Sequence, residues 1–285
     1  YRSYVFVWPF FIEMKVSMTE EQYITALTNN PHGIRNIPNP TEAMQLTCVA
    51  QNGMLLQYIK EPTRKVIETA LSQSPRAIQF VEHPTEDLLQ SLVEKDWAVL
   101  EYIDNPSDTI VQKALAQSGW AIRYIANPSE ELQLEAVKAN YDALQYIKEP
   151  SEAVQLQAVK ENYLALRYID EPSVVVLEAA VKQDPQAMRQ ITKLTKELAL
   201  HLFSVSAATL GYIPNNLGVT VDEIKSIIIS DISSETVDED YIRELINNKA
   251  IGGRQSKWPI DLLSLIDAYG TRAVKKIAVS EYLKY

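Results

Sequence analysis

The sequence is short of the residues from which reactive centres are built. Its single cysteine, Cys48, excludes a disulfide framework and a cysteine-rich zinc site. Its three histidines, His32, His83 and His201, lie far apart in sequence and leave little material for a metal centre. No apolar run approaches the roughly 20 residues that span a bilayer. The longest early run, Val5 to Ile12, is interrupted by Pro9 and followed by Glu13. Cations are the minority, with 27 Lys and Arg against 37 Asp and Glu, a formal net charge of −10. That balance argues against a non-specific binder of nucleic acid or of a membrane surface. A cytoplasmic protein without cofactor or metal is expected. Glycine is also scarce, at 8 residues in 285, whereas proline numbers 14.

The proline excess is organised. Pro40, Pro62, Pro84, Pro106, Pro128, Pro150 and Pro172 are each 22 residues apart, and one step back stands Met18. The next residue is Ser or Thr in all eight units: Thr19, Thr41, Thr63, Thr85, Ser107, Ser129, Ser151 and Ser173. Proline ends one element, and the following hydroxyl caps the next helix. Glu or Asp then usually follows, favourable beside a helix start. A helix of about ten residues comes next, with a small residue and an aliphatic on its inner face, as in Ala136-Val137. A polar breaker follows in every unit (Asn30, Asn52, Ser74, Asp96, Ser118, Asn140, Asn162, Asp184). The second helix is expected to be about seven or eight residues long. Its apolar pairs are spaced three apart, as in Ala143-Leu144 and Tyr146-Ile147, and it ends on Ile or Val in every unit. A helix that short must bury its stripe against neighbours. The expected fold is therefore all-α, an α-solenoid of about eight 22-residue two-helix repeats followed by a small helical domain. The expected boundaries are 1–17 for an N-terminal cap or a processed or foreign segment, 18–206 for the repeats and 207–285 for the helical domain.

The strings from Leu134 to Ile147 and from Leu156 to Ile169 carry Ala-Val-Lys-x-Asn-x-x-Ala-Leu-x-Tyr-Ile. This pattern resembles a short helical repeat family of unknown function, found in uncharacterised proteins of large bacteriophages, bacteria and giant viruses. The resemblance implies a repeat fold and a phage or bacterial setting, and it lends no catalytic residue.

Beyond Thr195 the proline ladder stops, but helical patterning continues. Capping boxes are expected at Thr220–Glu223 and Thr236–Glu239, with a third helix between Pro259 and Gly270 and a fourth from Thr271. The segment Ala207 to Gly218 is expected to be a flexible join, and the region after it to cap the last repeat.

Two sets of side chains stand out. The aromatic ladder Tyr58, Phe80, Tyr102, Tyr124, Tyr146 and Tyr168 reads first as a core seam, with a stacking platform as the alternative. The second set, Trp97, Trp120, Arg123, Tyr141, Gln145, Tyr163, Arg167 and Arg189, falls on the other face of the second helices. Its residue types dominate binding hot spots. The alternative there is that the aromatics pack on the preceding unit and the arginines pair with Glu. Cys48 reads as a core residue, and His201 as a packed one. Gly252-Gly253-Arg254 with Lys257 is a weak phosphate cradle, and Glu235, Asp238, Glu239 and Asp240 read as a solvated helix start. The sequence therefore points to a non-catalytic protein-binding scaffold, with inhibition of a host or anti-phage defence protein as one form of it. A small anionic ligand such as a nucleotide, and an acidic mimic of nucleic acid, are the alternatives. A homo-oligomer is left open, and neither direct nucleic-acid binding nor membrane association is expected.

Overall fold

The structure is a computed structural model, and residues 18–236, 238–253 and 255–283 are described. The expectations for residues 1–17 lie outside the described residues. Among the described residues the fold is all-α, with no strand and an isolated bridge between Ile251 and Trp258.

Two-helix pairs follow one another as in a solenoid. Their first helices are α1 (Glu20–Asn29), α2 (Glu42–Val49), α3 (Arg64–Gln73), α4 (Glu86–Lys95), α5 (Asp108–Gln117), α6 (Glu130–Ala139), α7 (Glu152–Glu161), α8 (Val174–Gln183) and α9 (Lys196–Val205). Each is followed by a 3-10 helix: η1 (Pro31–Asn36), η2 (Gly53–Tyr58), η3 (Pro75–Phe80), η4 (Trp97–Tyr102), η5 (Gly119–Tyr124), η6 (Tyr141–Tyr146), η7 (Tyr163–Tyr168), η8 (Pro185–Gln190) and η9 (Ala207–Tyr212). Four α-helices complete the chain: α10 (Val221–Ser233), α11 (Glu239–Ile246), α12 (Leu262–Tyr269) and α13 (Arg272–Tyr282). The chain divides into two compact units, Tyr1–Ile110 and Val111–Tyr285, with the division inside α5.

Within each unit the first helices are joined through their caps. The Thr63 Oγ1 accepts from the Val66 N–H and donates to Glu42 Oε1 at 2.6 Å, one repeat earlier. Thr41 does the same with Glu20, Ser107 with Glu86, and in the second unit Ser151 with Glu130. One hydroxyl therefore caps its own helix and ties it to the carboxylate at the first turn of the preceding helix. This explains why an acid so often follows the Ser or Thr. Arg64 breaks the pattern in the first unit, and Thr85, the hydroxyl that would have faced it, makes no side-chain cap bond. There a cleft of about 620 Å³ opens between α3 and α4, lined in part by Ile67, Leu71, Leu88 and Leu92.

The second helices differ from the expectation. They are six-residue 3-10 helices, not longer α-helices. Pairs spaced three apart match 3.0 residues per turn, so the pattern itself carried this signal. In η6, Ala143 and Leu144 are buried, and the following Ile147 is extended and 7% exposed. The breaker caps the 3-10 helix through its side chain at Asn52, Asp96, Ser118, Asn162 and Asp184. Asn140 reaches back instead, accepting from the Gly119 N–H at 2.8 Å. That contact is tight: a Cβ on Gly119 would stand 2.1 Å from the Ala136 carbonyl oxygen. After five of the 3-10 helices the chain turns through a left-handed residue just before the ladder proline, at Glu61, His83, Asn105, Asn127 and Glu149, with φ between 48° and 52°.

A ninth pair, α9 and η9, follows the eight expected. Thr195 caps α9, and Ala207–Tyr212, part of the expected flexible join, forms η9 with Ala207, Thr209 and Leu210 buried. Leu194 stands where the ladder would place proline, so the ladder does not mark this unit, although Leu198 to Phe203 reads as a continuation of the stack. The rest of the second unit covers η9. The Glu244 carboxylate accepts from Ser206 Oγ at 2.8 Å, and Asn248 donates to the Ala207 carbonyl at 2.7 Å. Trp258 is buried, and its indole N–H reaches the Leu210 carbonyl at 3.2 Å. The capping box Thr220–Glu223 is present in full. Glu223 also receives Lys196 at 2.6 Å, which pins α10 to α9. The expected box at Thr236 is replaced by Asp238, whose carboxylate accepts from two N–H groups and starts α11. Likewise Asp261 starts α12 two residues beyond Pro259, and the helix ends before Gly270 as expected.

Two outcomes follow. Ser151→Ala should lower stability by about 1–2 kcal/mol, because it removes a cap and a tie between repeats at once; Thr85→Ala, where both are missing, should cost less than about 0.5 kcal/mol in the same urea titration. Gly119→Ala should cost about 1–3 kcal/mol through the clash with Ala136, whereas Gly211→Ala, with nothing within 4 Å of the new methyl, should be neutral or stabilising.

Candidate functional site

The six-residue second helix sets the register of the exposed surface. Its third and fourth residues face the core, its fifth faces solvent, and its last is exposed or half-buried at the rim. In η7, Ala165 and Leu166 are buried while Arg167 and Tyr168 are exposed. In η6, Gln145 and Tyr146 are exposed in the same way. The aromatic ladder therefore lies at the rim and not in a core seam: Tyr58, Tyr146 and Tyr168 are exposed, and Phe80, Tyr102 and Tyr124 are half-buried. The physical reason is that Ala, three residues earlier on the same side, fills the interior and leaves the ring at the rim.

The eight singled-out residues divide between the units. Trp97, half-buried at the start of η4, belongs to the first unit. Trp120 and Arg123 on η5, Tyr141 and Gln145 on η6, Tyr163 and Arg167 on η7 and Arg189 on η8 belong to the second. There the two sets merge into one surface. The Arg123 guanidinium carbon lies 5.0 Å from the Tyr124 ring centroid and 5.1 Å from that of Tyr146. Arg189 lies 5.1 Å from the Tyr212 ring. Trp120, 40% exposed, donates its indole N–H to Asp142 Oδ1 at 2.7 Å in the next repeat. Gln145 donates to the Asp142 carbonyl at 2.9 Å, and Arg167 donates to Gln190 Oε1 at 3.4 Å. Tyr141 and Tyr163 are half-buried at the rim.

The alternative in which the arginines pair with Glu does not hold here. Among the described residues, Arg123, Arg167 and Arg189 have no carboxylate at ion-pair distance, and two of them stack on tyrosines instead. Stacking over a ring is favourable by about 0.5–1 kcal/mol at an exposed site. It also fixes the guanidinium plane and leaves its edge donors free for a ligand. Sequence reasoning missed Asp142, Gln190 and Tyr212 as members of this surface. Tyr212 was legible as the residue 22 beyond Gln190, had the repeat been followed one unit further.

The remaining candidates do not form a second site. Cys48 is buried, and burial pushes its thiol up to about 11, so it is a core residue as expected. His32 and His83 are exposed. His201 is exposed too, not packed, and its Nε2 meets Glu178 Oε1 at 2.6 Å. Its apolar neighbours in sequence face the core while it stands on the outer side of α9. Gly252 and Gly253 line a cleft of about 440 Å³. The lysine of that motif is turned away from it: the Lys257 ammonium donates to the Ile213 carbonyl, and burial lowers its pKa. Arg254 lies outside the described residues. No group of three or more His, Cys, Asp or Glu suited to a metal occurs among the described residues, and none of their helices is long and apolar enough to cross a membrane.

The acids of the second unit with displaced titration are accounted for structurally. Glu223 is held down to about 2, first by Lys196 and then by the Thr220 cap. Asp231 is displaced upward by burial, partly offset by the Tyr241 hydroxyl. Raised carboxyls are a signature of active sites, but Asp231 lies on α10 beside Tyr241 and lines none of the clefts described above. Compared with models of protein families, with curated proteins and with solved structures, the chain matches none.

The sign of the Asp231 effect is testable. A carboxyl whose folded pKa is raised favours folding most when protonated, and its contribution is lost as pH rises through that pKa. Asp231→Asn should therefore be more stable than the parent at pH 7, by about 1 kcal/mol, with the difference shrinking below pH 4 in urea unfolding.

Proposed function

We propose that the protein is a non-catalytic scaffold that holds a protein partner on the 3-10 helix surface of its second unit. The observation that carries this reading is the Arg123 guanidinium set against Tyr124 and Tyr146, beside the exposed indole of Trp120. Tyr, Trp and Arg are the residues that dominate interface energetics: the two aromatics bring large contact area at low conformational cost together with a polar edge, and a stacked guanidinium adds a fixed fork of donors. The surface is built on short rigid helices locked by repeat-to-repeat bonds, so its side chains are preorganised.

A nucleotide site is less well supported. The cleft beside Arg167 has a volume of about 510 Å³, but Asp170 and Glu171 also line it, and Lys193 is already paired with Glu171 at 2.7 Å. A phosphate there would meet two carboxylates and one uncommitted cation. Catalysis finds no supporting constellation among the described residues: Cys48 and Tyr241 are buried, and Asp231 is a structural acid.

Selection of random 12-residue peptides on the intact chain tests the proposal. Selected peptides should lose at least tenfold in affinity with Trp120→Ala and with Tyr146→Ala, and less than twofold with Leu263→Ala, an exposed apolar residue on α12. Peptides that depend on Leu263 and ignore Trp120 and Tyr146 would place binding elsewhere and defeat the reading.

A further inference from the structure

In the second unit the fifth residue of each 3-10 helix and the rings around it form a repeating slot. Arg123, Gln145, Arg167 and Arg189 hold the fifth place in η5, η6, η7 and η8, and Tyr124, Tyr146, Tyr168 and Gln190 hold the sixth. At the first slot the Arg123 guanidinium carbon lies 5.0 Å from the Tyr124 ring and 5.1 Å from the Tyr146 ring of the next repeat. Neighbouring packed helices are about 8–10 Å apart, so one planar cation spans the gap between two rungs. At the third slot Arg167 also reaches forward, to Gln190, which stands where a ring would be. At the fourth Arg189 reaches forward to the Tyr212 ring. The second slot is different. It lies between Tyr146 and Tyr168, the two most exposed tyrosines of η5 to η9. Its fifth-place residue is Gln145, which is shorter, neutral and tied back to the Asp142 carbonyl of its own helix at 2.9 Å. Among the described residues no cation and no second ring stacks on Tyr168. Two rings of the kind that hold Arg123 are thus offered to solvent with no guanidinium between them.

Resting on the reading above, we infer that the slot between Tyr146 and Tyr168 receives an arginine side chain of the partner. The chain itself shows what fits, since the neighbouring slot holds the Arg123 guanidinium against two rings one repeat apart. Charge agrees with this occupant. The chain carries a net −10, and Asp142 and Asp170 stand in the two repeats that bring the rings. The Asp142 carboxylate accepts from the Trp120 indole N–H at 2.7 Å and keeps further lone pairs for a second donor. A guanidinium suits both features, because its flat faces stack on rings while its edge donates to carboxylates. Arg123 and Arg167 flank the slot at about one helix spacing. Physiological salt screens exposed charges over about 8 Å, so their repulsion is weak beside direct contact with two rings. A carboxylate or a phosphate is the poorer occupant, since it would be repelled by the negative edge of Asp142 and by the electron-rich ring faces.

The peptide selection separates this inference from the reading beneath it. Peptides that need Trp120 and Tyr146 should also need Tyr168, and each should carry one indispensable arginine. Changing that arginine to Ala should weaken binding at least tenfold, and changing it to Lys, which lacks the flat face, at least threefold. Tyr168→Ala should cost at least tenfold, whereas Tyr168→Phe, which keeps the ring, should stay within twofold of the parent. Gln145→Arg should fill the slot from within, as Arg123 fills its own, and weaken the same peptides at least tenfold. That variant places in η6 the residue type that η5, η7 and η8 already carry at the same position. Peptides that need Trp120 and Tyr146 yet ignore Tyr168→Ala and Gln145→Arg would overturn the arginine slot and leave the docking surface standing. Peptides whose indispensable residue is an acid or a neutral ring would do the same. Peptides that bind without Trp120 and Tyr146 would overturn both.

Discussion

A serine or threonine hydroxyl stands at the point where one first helix meets the next, and it does two things with one oxygen. It accepts from a free N–H of its own helix and donates to the glutamate that opens the preceding helix, as at Thr63 and Glu42. The carboxylate is thereby placed beside the positive end of its own helix while anchoring its neighbour. Each such bond is worth only about 1 kcal/mol net. The stability of a stacked repeat is a sum of intrinsic and nearest-neighbour terms, so a bond that recurs at four of the junctions helps to set spacing and register together. Beside Arg64, where that acid is missing, a cleft lies between α3 and α4.

The same spacing governs the second helices. A six-residue 3-10 helix has no standing of its own in water. It persists here because its two middle residues are buried against the first helices and its ends are bonded to the next repeat, through Asn140 at Gly119 and Gln183 at Tyr163. At the ends of these short elements Arg123 stacks on Tyr124 and Tyr146, and Arg189 on Tyr212.

Much of this was legible in the sequence. The proline ladder, the capping hydroxyls other than Thr85, the first helices, the capping box at Thr220 and the core cysteine are all periodic or local signals, and all are where they were expected. What escaped notice depended on information that residue type alone does not carry. Tyrosine packs and hydrogen-bonds equally well at a seam or a rim, so only the depth of Ala143 and Ala165 distinguishes the two. The ninth repeat lacks its proline. Asp238 displaces Thr236 as a cap because both residue types perform that task and only backbone geometry selects between them. Arg123 was placed on the face away from the aromatic ladder, whereas its long side chain bridges two rungs.

The bonds between repeats join residues 20 to 23 positions apart, whether hydroxyl to carboxylate, N–H to side-chain amide, indole to aspartate or guanidinium to side-chain amide. This gives the gene a grammar of permitted changes in length. Duplicating or deleting one 22-residue block inside a unit returns each partner to a residue of the same kind. An insertion of any other size within a block moves a donor away from its acceptor at every junction it touches. Growth and loss of such a chain are therefore quantised, and its surface of tyrosine and arginine can be lengthened by whole rungs without redesign of the interior.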